Sequence, residues 1–226
     1  MKLNDETLRF IHEHCKDDVR NLALQAPKYP GVDMPVALTQ IAGRQAAAEK
    51  IPSWYAEEGI LYPRHLSLEQ CSSEATARYK ASIIPEFSSG TLADLTGGFG
   101  IDCAFLSPKF HHVTYVERQE VLCEIASHNF PLLALNHIRI ENKDAIRHLQ
   151  EMSSADWIFI DPARRDGHGG KTVAIADCEP NVAELESLLL EKAQHVMVKL
   201  SPMLDLSLAI QDFKVRTGST YCFCKQ

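Results

Sequence analysis

A mainly parallel α/β sheet behind a helical segment is what this 226-residue sequence predicts. Three observations lead there. Helical patterning without strand signal fills the chain up to Pro85. Short β-rich runs alternating with helix-like segments follow it. The first of those runs opens the stretch LADLTGGFGID, Leu92 to Asp102, which holds an acid and then three glycines within four residues. Strands alternating with helices imply right-handed βαβ units and a parallel sheet. The chain is therefore expected to divide into an N-terminal helical domain, 1–85, and an α/β core, 86–226.

In the helical part, Leu8, Ile11, Cys15, Val19 and Leu22 recur at helical steps and predict one face of a first helix. APKYPGVD breaks it with two prolines and a glycine. Asp33 is placed to cap a second helix through Lys50. Ser67 and Gln70 have capping-box spacing, predicting a third helix that runs toward Ile84. In the core, TLADLT, VTYVER, IRIEN, DWIFIDP and HVMVKLS read as strands, and EVLCEIASHNF and NVAELESLLLEKA as helices. The loop RRDGHGGKT is the most flexible-looking part of this half.

Composition excludes several classes. No stretch approaches the roughly 20 apolar residues of a membrane span, and the polar N-terminus does not resemble a secretory signal. The seven cysteines are scattered, as in a protein with reduced thiols in the cytoplasm. Cys222-x-Cys224 lacks the spacing of zinc knuckles. His111–His112 alternate across a strand, and His12 and His14 point apart on a helix, so no metal site is expected. The net charge of −7 requires any nucleic-acid partner to meet a local basic patch.

Gly97, Gly98 and Gly100 fall where the first strand turns into the first helix of the sheet, the place where a ligand can approach bare backbone. A nicotinamide fingerprint starting at Gly98 would need a small residue where Cys103 stands, and the Gly-Lys-Ser/Thr of a P-loop is absent. Asp94-x-x-Gly97-Gly98-x-Gly100 instead resembles motif I of the class I S-adenosylmethionine-dependent methyltransferases, which have a Rossmann-like fold. On that resemblance Glu117 would hold the cofactor's ribose hydroxyls and Asp144 its adenine amine. Asp161–Pro162 would face the transferable methyl group. Ser72, just before a helix, would touch the methionine end together with its neighbours Gln70 and Ser73; helix capping explains these three nearly as well.

SLEQCSSEATARYKASI, DLTGGFGIDCAF, IDPARRD and VKLSPMLD together resemble a bacterial group of these enzymes that carries a C-terminal THUMP-like domain. The likeness implies an RNA substrate, tRNA or rRNA. Two features depart from it: the THUMP-like domain is absent, and after the fifth strand only one helix and one strand fit, so the late strands are expected to be truncated.

Three acceptors remain open. An exocyclic base nitrogen would be oriented by Asp161 and Pro162, although Ala163–Arg164 supplies no stacking ring. A ribose 2′-hydroxyl would be approached by Lys80, Asp161 and Lys199, with a lysine as base; the plainer reading of Lys80 is a solvated helix position. A pyrimidine C5 needs a nearby cysteine, and Cys178 is distant in sequence. Arg164, Arg165, His168 and Lys171 form a basic cluster placed to hold a phosphate, or else a solvated loop. A non-catalytic module keeping the pocket as a relic, and less readily a nicotinamide-dependent oxidoreductase, compete with the enzyme reading.

Overall fold

The computed structural model describes residues 3–85, 90–164, 175–200, 213 and 220–225. Six helices come first: α1 (Asp5–Glu13), α2 (Val19–Leu24), α3 (Met34–Lys50), α4 (Pro52–Ala56), α5 (His65–Gln70) and α6 (Glu74–Ile83). The α/β part then runs β1 (Thr91–Asp94), α7 (Ile101–Leu106), β2 (His112–Glu117), α8 (Glu120–Leu132), β3 (Ile138–Asn142), α9 (Ala145–Glu151) and β4 (Ala155–Ile160). It continues with a two-residue hairpin, β5 (Ala163–Arg164) and β6 (Cys178–Glu179), then α10 (Val182–Lys192), β7 (Ala193–Leu200) and β8 (Thr220–Lys225).

The main sheet has the order β3-β2-β1-β4-β7-β8, and every pairing in it is parallel. The chain moves outward from β1 through β2 to β3, then crosses back to place β4 on the other side of β1. The order reverses between β1 and β4, and such a reversal opens a crevice at the strands' carboxyl ends. Alternation along the strands feeds two cores. Leu92, Tyr115, Trp157, Phe159 and Met197 face one, together with Ala47, Trp54, Ala77 and Ile84 of the helical segment. Ala93, Val116, Ile158, Ile160, Val196 and Val198 face the other, against Leu149 and Leu189. A small separate cluster of Phe10, Leu22, Met34, Ala37 and Ile41 holds α1 to α3 together.

Two helical expectations are corrected. The first helix is interrupted: Asp18 accepts a hydrogen bond from Asn21 N at 2.9 Å and starts α2 afresh. Across that break the predicted face rotates, leaving Leu8 49% exposed and Phe10 buried. Side-chain capping of the new amino end wins over the apolar repeat. The segment before the sheet is likewise two helices, with α5 already begun at His65. Ser73, not Ser67, does the capping: its hydroxyl accepts from Thr76 N at 3.2 Å to start α6. Asp33 caps α3 as expected, accepting from Val36 N at 3.3 Å. The final strand joins β7 in parallel register from His195–Thr220 to Leu200–Lys225.

Candidate functional site

The turn from β1 into α7 explains its own glycines only in part. A Cβ on Gly97 would come within 2.2 Å of the Tyr115 ring, so that glycine is required by packing. Tyr115 in turn donates its hydroxyl to the Gly98 carbonyl at 2.5 Å and fixes the turn from below. Gly98 (φ +55°) and Gly100 (φ +90°) lie in the left-handed region that glycine enters without strain. A Cβ on Gly100 would meet Phe130, whereas one on Gly98 would meet open space, its nearest atom 3.8 Å away. Gly98 is therefore where bare backbone faces outward.

It faces a cavity of about 570 Å³ at the carboxyl ends of the strands, whose wall includes Gly98, Glu117, Asp144, Asp161, Pro162 and Lys199. Glu117 ends β2, and both its oxygens hold backbone: Oε2 accepts from Gly98 N at 2.9 Å and Oε1 from Gln119 N at 2.8 Å. Asp144 caps α9, its Oδ1 accepting from Ile146 N and Arg147 N, both at 3.0 Å. Thr96 connects the turn to β4, its hydroxyl accepting from Asp161 N at 2.6 Å.

Asp161 and Lys199, from the ends of neighbouring strands, meet with Nζ donating to Oδ2 at 2.6 Å. Burial raises the Asp161 pKa above its usual value against the opposing pull of Lys199. Burial works to lower Lys199, but Asp161 and Asp102 outweigh it and hold the ammonium above its ordinary pKa. Cys71 also lines the cavity, its thiol pushed up to about 11 by burial.

Three sequence-predicted residues stand differently from expectation. Asp94 is fully buried under the glycine turn and is not in the cavity wall; its Oδ1 accepts from Thr96 N at 3.1 Å and its Oδ2 has no partner. Burial drives its pKa well above the carboxylate range. Ser72 lines the cavity, but its hydroxyl donates to Asp102 at 2.7 Å and accepts from Lys80 at 2.6 Å. Lys80 is not solvated: it is 0% exposed and ion-paired to Asp102 at 2.5 Å. Sequence reasoning gave Asp102 no role; its one signal was an acid set among Ile101, Cys103 and Ala104 in a helix facing the core. The Arg164 backbone lies in β5, whereas Arg165, His168 and Lys171 lie outside the described residues. Among the described residues no group of three or more His, Cys, Asp or Glu could hold a metal ion, and no helix is long and apolar enough to cross a membrane.

No family model and no curated protein matches this chain. Among solved structures it is similar to a candidate methyltransferase from Porphyromonas gingivalis W83, at 30% identity and a TM-score of 0.74, over 93% of this chain and 53% of that one. The chain thus spans about half the length of that protein. Looser overlaps include PH1948 of Pyrococcus horikoshii, described as a candidate RNA methyltransferase, at 14% identity and a TM-score of 0.45, over 64% of this chain and 69% of that one. A tRNA m1G37 methyltransferase of M. jannaschii overlaps at 9% identity and a TM-score of 0.37, over 54% of this chain and 32% of that one. The fold is Rossmann-like, with the parallel central sheet of the Porphyromonas gingivalis structure.

Proposed function

We propose that this chain is the core of an S-adenosylmethionine-dependent methyltransferase acting on RNA, with a base nitrogen as acceptor. One observation carries the reading: Glu117, Asp144 and Asp161, each at or just past the end of a different strand, surround a single cavity onto which Gly98 opens bare backbone. The residues fit the cofactor. Glu117 would hold its ribose, Asp144 its adenine amine, and the Gly98 turn would lie along its length, while Gly97 and Gly100 keep that turn in shape. Asp94 would support the turn from beneath, and Ser72 would close the methionine end through Asp102. When bound, S-adenosylmethionine supplies an electrophilic methyl group on a sulfonium.

The protein's own part is alignment and exclusion of water. Asp161 presents a carboxylate beside Pro162 to accept the hydrogens of an amine, and Lys199 fixes that carboxylate in place. The ribose-hydroxyl reading would require a neutral lysine as base. Lys199, paired with Asp161 and held above its ordinary pKa, is ill suited to that task, and Lys80, whose pKa burial lowers, does not line the cavity. Arg164, Arg165 and Lys171 follow Asp161–Pro162 directly in sequence, and we assign them to the RNA phosphates as a substrate patch.

Support for RNA, as tRNA or rRNA, comes from this cluster and from the sequence likeness to the THUMP-bearing bacterial group, carried by DPARR and KLSPMLD. The domain division at residue 85 is kept as part of the proposal, with the helical domain closing one face of the core. A cytoplasmic location is supported by the thiols of Cys15, Cys71, Cys103 and Cys123, none of which is in a disulfide.

The test is isothermal titration with S-adenosylhomocysteine, beside Glu117→Ala, followed by transfer of labelled methyl to tRNA and rRNA. Binding at about micromolar Kd (near −8 kcal/mol) that the variant loses is the expected result. A folded wild-type chain that binds none would overturn the reading.

A further inference from the structure

Four charged side chains from separate parts of the chain alternate in sign at the cavity: Asp102, Lys199 and Asp161 line its wall, and Lys80 stands behind Asp102. Lys80 of α6 pairs with Asp102 of α7 at 2.5 Å. The other oxygen of Asp102 stands 3.8 Å from Lys199 of β7, and Lys199 pairs with Asp161 at 2.6 Å. Ser72 ties the first pair, accepting from Lys80 and donating to Asp102. Ser72 thereby holds Oδ2 by a hydrogen bond and Lys80 holds Oδ1 by charge, keeping the carboxylate beside Lys199. The Lys80 ammonium also stands 5.6 Å from the centre of the Phe159 ring, on the strand that leads to Asp161.

We infer that Lys80 and Asp102 are positioning residues: they fix the carboxylate against which Lys199 rests, and so keep the Lys199 ammonium on Asp161. This rests on the proposed function only for what Asp161 does with a substrate. A pair whose role were merely to join α6 to α7 would not need a second lysine at its open side. Burying two opposite charges stabilises a fold no better than a well-packed apolar pair does. What the charges add is a fixed field at the third charge, Lys199. The groups facing Lys199 are Asp161 from the end of β4, Asp102 from α7 and Cys71 from the turn after α5, with Lys80 beyond Asp102. The α6 helix of the N-terminal segment thus reaches the candidate reaction centre without lining the cavity itself.

The test needs neither cofactor nor substrate. Lysine-labelled full chain is titrated by 13C NMR, with the Lys199 signal identified from Lys199→Arg. In the wild type Lys199 is expected to titrate above the ordinary lysine range, and in Asp102→Asn its midpoint moves to lower pH. A second variant separates position from stability: Lys80→Met with Asp102→Leu replaces the ion pair by an apolar one. It is expected to recover the melting temperature lost in the single variant while leaving the Lys199 midpoint lowered. A Lys199 midpoint at its wild-type pH in the folded double variant would overturn the inference, whether or not Asp102→Asn folds. Because the readout is the Lys199 titration, a chain that binds no S-adenosylhomocysteine still returns an answer here.

Discussion

Two arcs of one cavity hold their carboxylates by different means. On the β2–β3 side, Glu117 and Asp144 are held by backbone amides: those of Gly98 and Gln119 for the first, Ile146 and Arg147 for the second. On the β4–β7 side, Asp102 and Asp161 are held by the lysines Lys80 and Lys199. Backbone donors come from the turns at the strand ends around the acid, and a carboxylate oxygen that accepts one of them has a further lone pair to offer a ligand. A lysine partner must arrive from elsewhere in the fold and must itself be buried. On the proposed function, the first arc would bind the cofactor and the second would hold one reacting geometry. Asp94 belongs to neither, having one backbone donor and one orphaned oxygen.

The sharpest way to break this comparison is to remove one holder from each arc. Lys80→Met leaves buried Asp102 only the more distant Lys199 as counter-charge, a loss at the lower end of the about 3–5 kcal/mol that breaking a buried ion pair costs. Glu117→Ala removes an acceptor from two backbone amides at the cavity wall, at about 1–2 kcal/mol. Urea unfolding of the two variants measures both. Equal losses would mean that the two arcs do not differ in kind.

How each arc could be read in the sequence follows from the same contrast. The β-rich runs marked the strand ends and the glycine run the β1–α7 turn, and the resemblance to the methyltransferase motifs then pointed to Glu117, Asp144 and Asp161 beside them. The five strands of the parallel sheet up to β7 were legible for the same local reason. The lysine-held arc was not. Lys80 and Asp102 are 22 residues apart, in helices separated along the chain by β1, and a lysine on a helix looks solvated until its neighbours are known. The broken first helix was missed because an apolar repeat of five positions ran through the Asp18 cap. The glycines were read as room for a ligand, yet Gly97 and Gly100 are there for Tyr115 and Phe130.

A smaller effect separates packing from binding within the turn that joins the arcs. Gly97→Ala drives a Cβ into the buried Tyr115 ring and should cost about 1–3 kcal/mol through overpacking. Gly98→Ala meets open space and pays only for its left-handed backbone, about 1–2 kcal/mol. With S-adenosylhomocysteine as ligand the ranking should invert, Gly98→Ala binding more weakly than Gly97→Ala. Thermal unfolding and titration calorimetry on both variants check this, and a shared ranking in the two measurements would remove Gly98 from the ligand surface.

Asp94 sharpens the comparison through pH. Its pKa is raised by burial, so the folded chain keeps a proton that the unfolded chain releases near pH 4. Stability contributed at low pH is then lost as pH rises toward the folded pKa. Asp94→Asn removes that dependence. The variant should match the wild type near pH 4 and exceed it at pH 8, by about 1 kcal/mol or more for one unsatisfied buried acid. Melting temperatures measured across that range decide it. A gap that does not widen with pH would mean that Asp94 has a partner holding it charged.

The smallest expected effect concerns Asp144, the most exposed member of the backbone-held arc. Its Oδ1 accepts from two amides at the start of α9, and removing an N-cap acceptor costs about 1 kcal/mol. Asp144→Ala should therefore destabilise the chain by that amount. Asp144→Asn, which keeps an oxygen in place, should stay within about 0.5 kcal/mol of the wild type. Hydrogen exchange at the Arg147 amide reads the cap directly: faster in Ala, unchanged in Asn. If Asn opened the helix as readily as Ala, the charge rather than the oxygen would be holding α9. The backbone-held arc would then depend on electrostatics as much as the lysine-held one does.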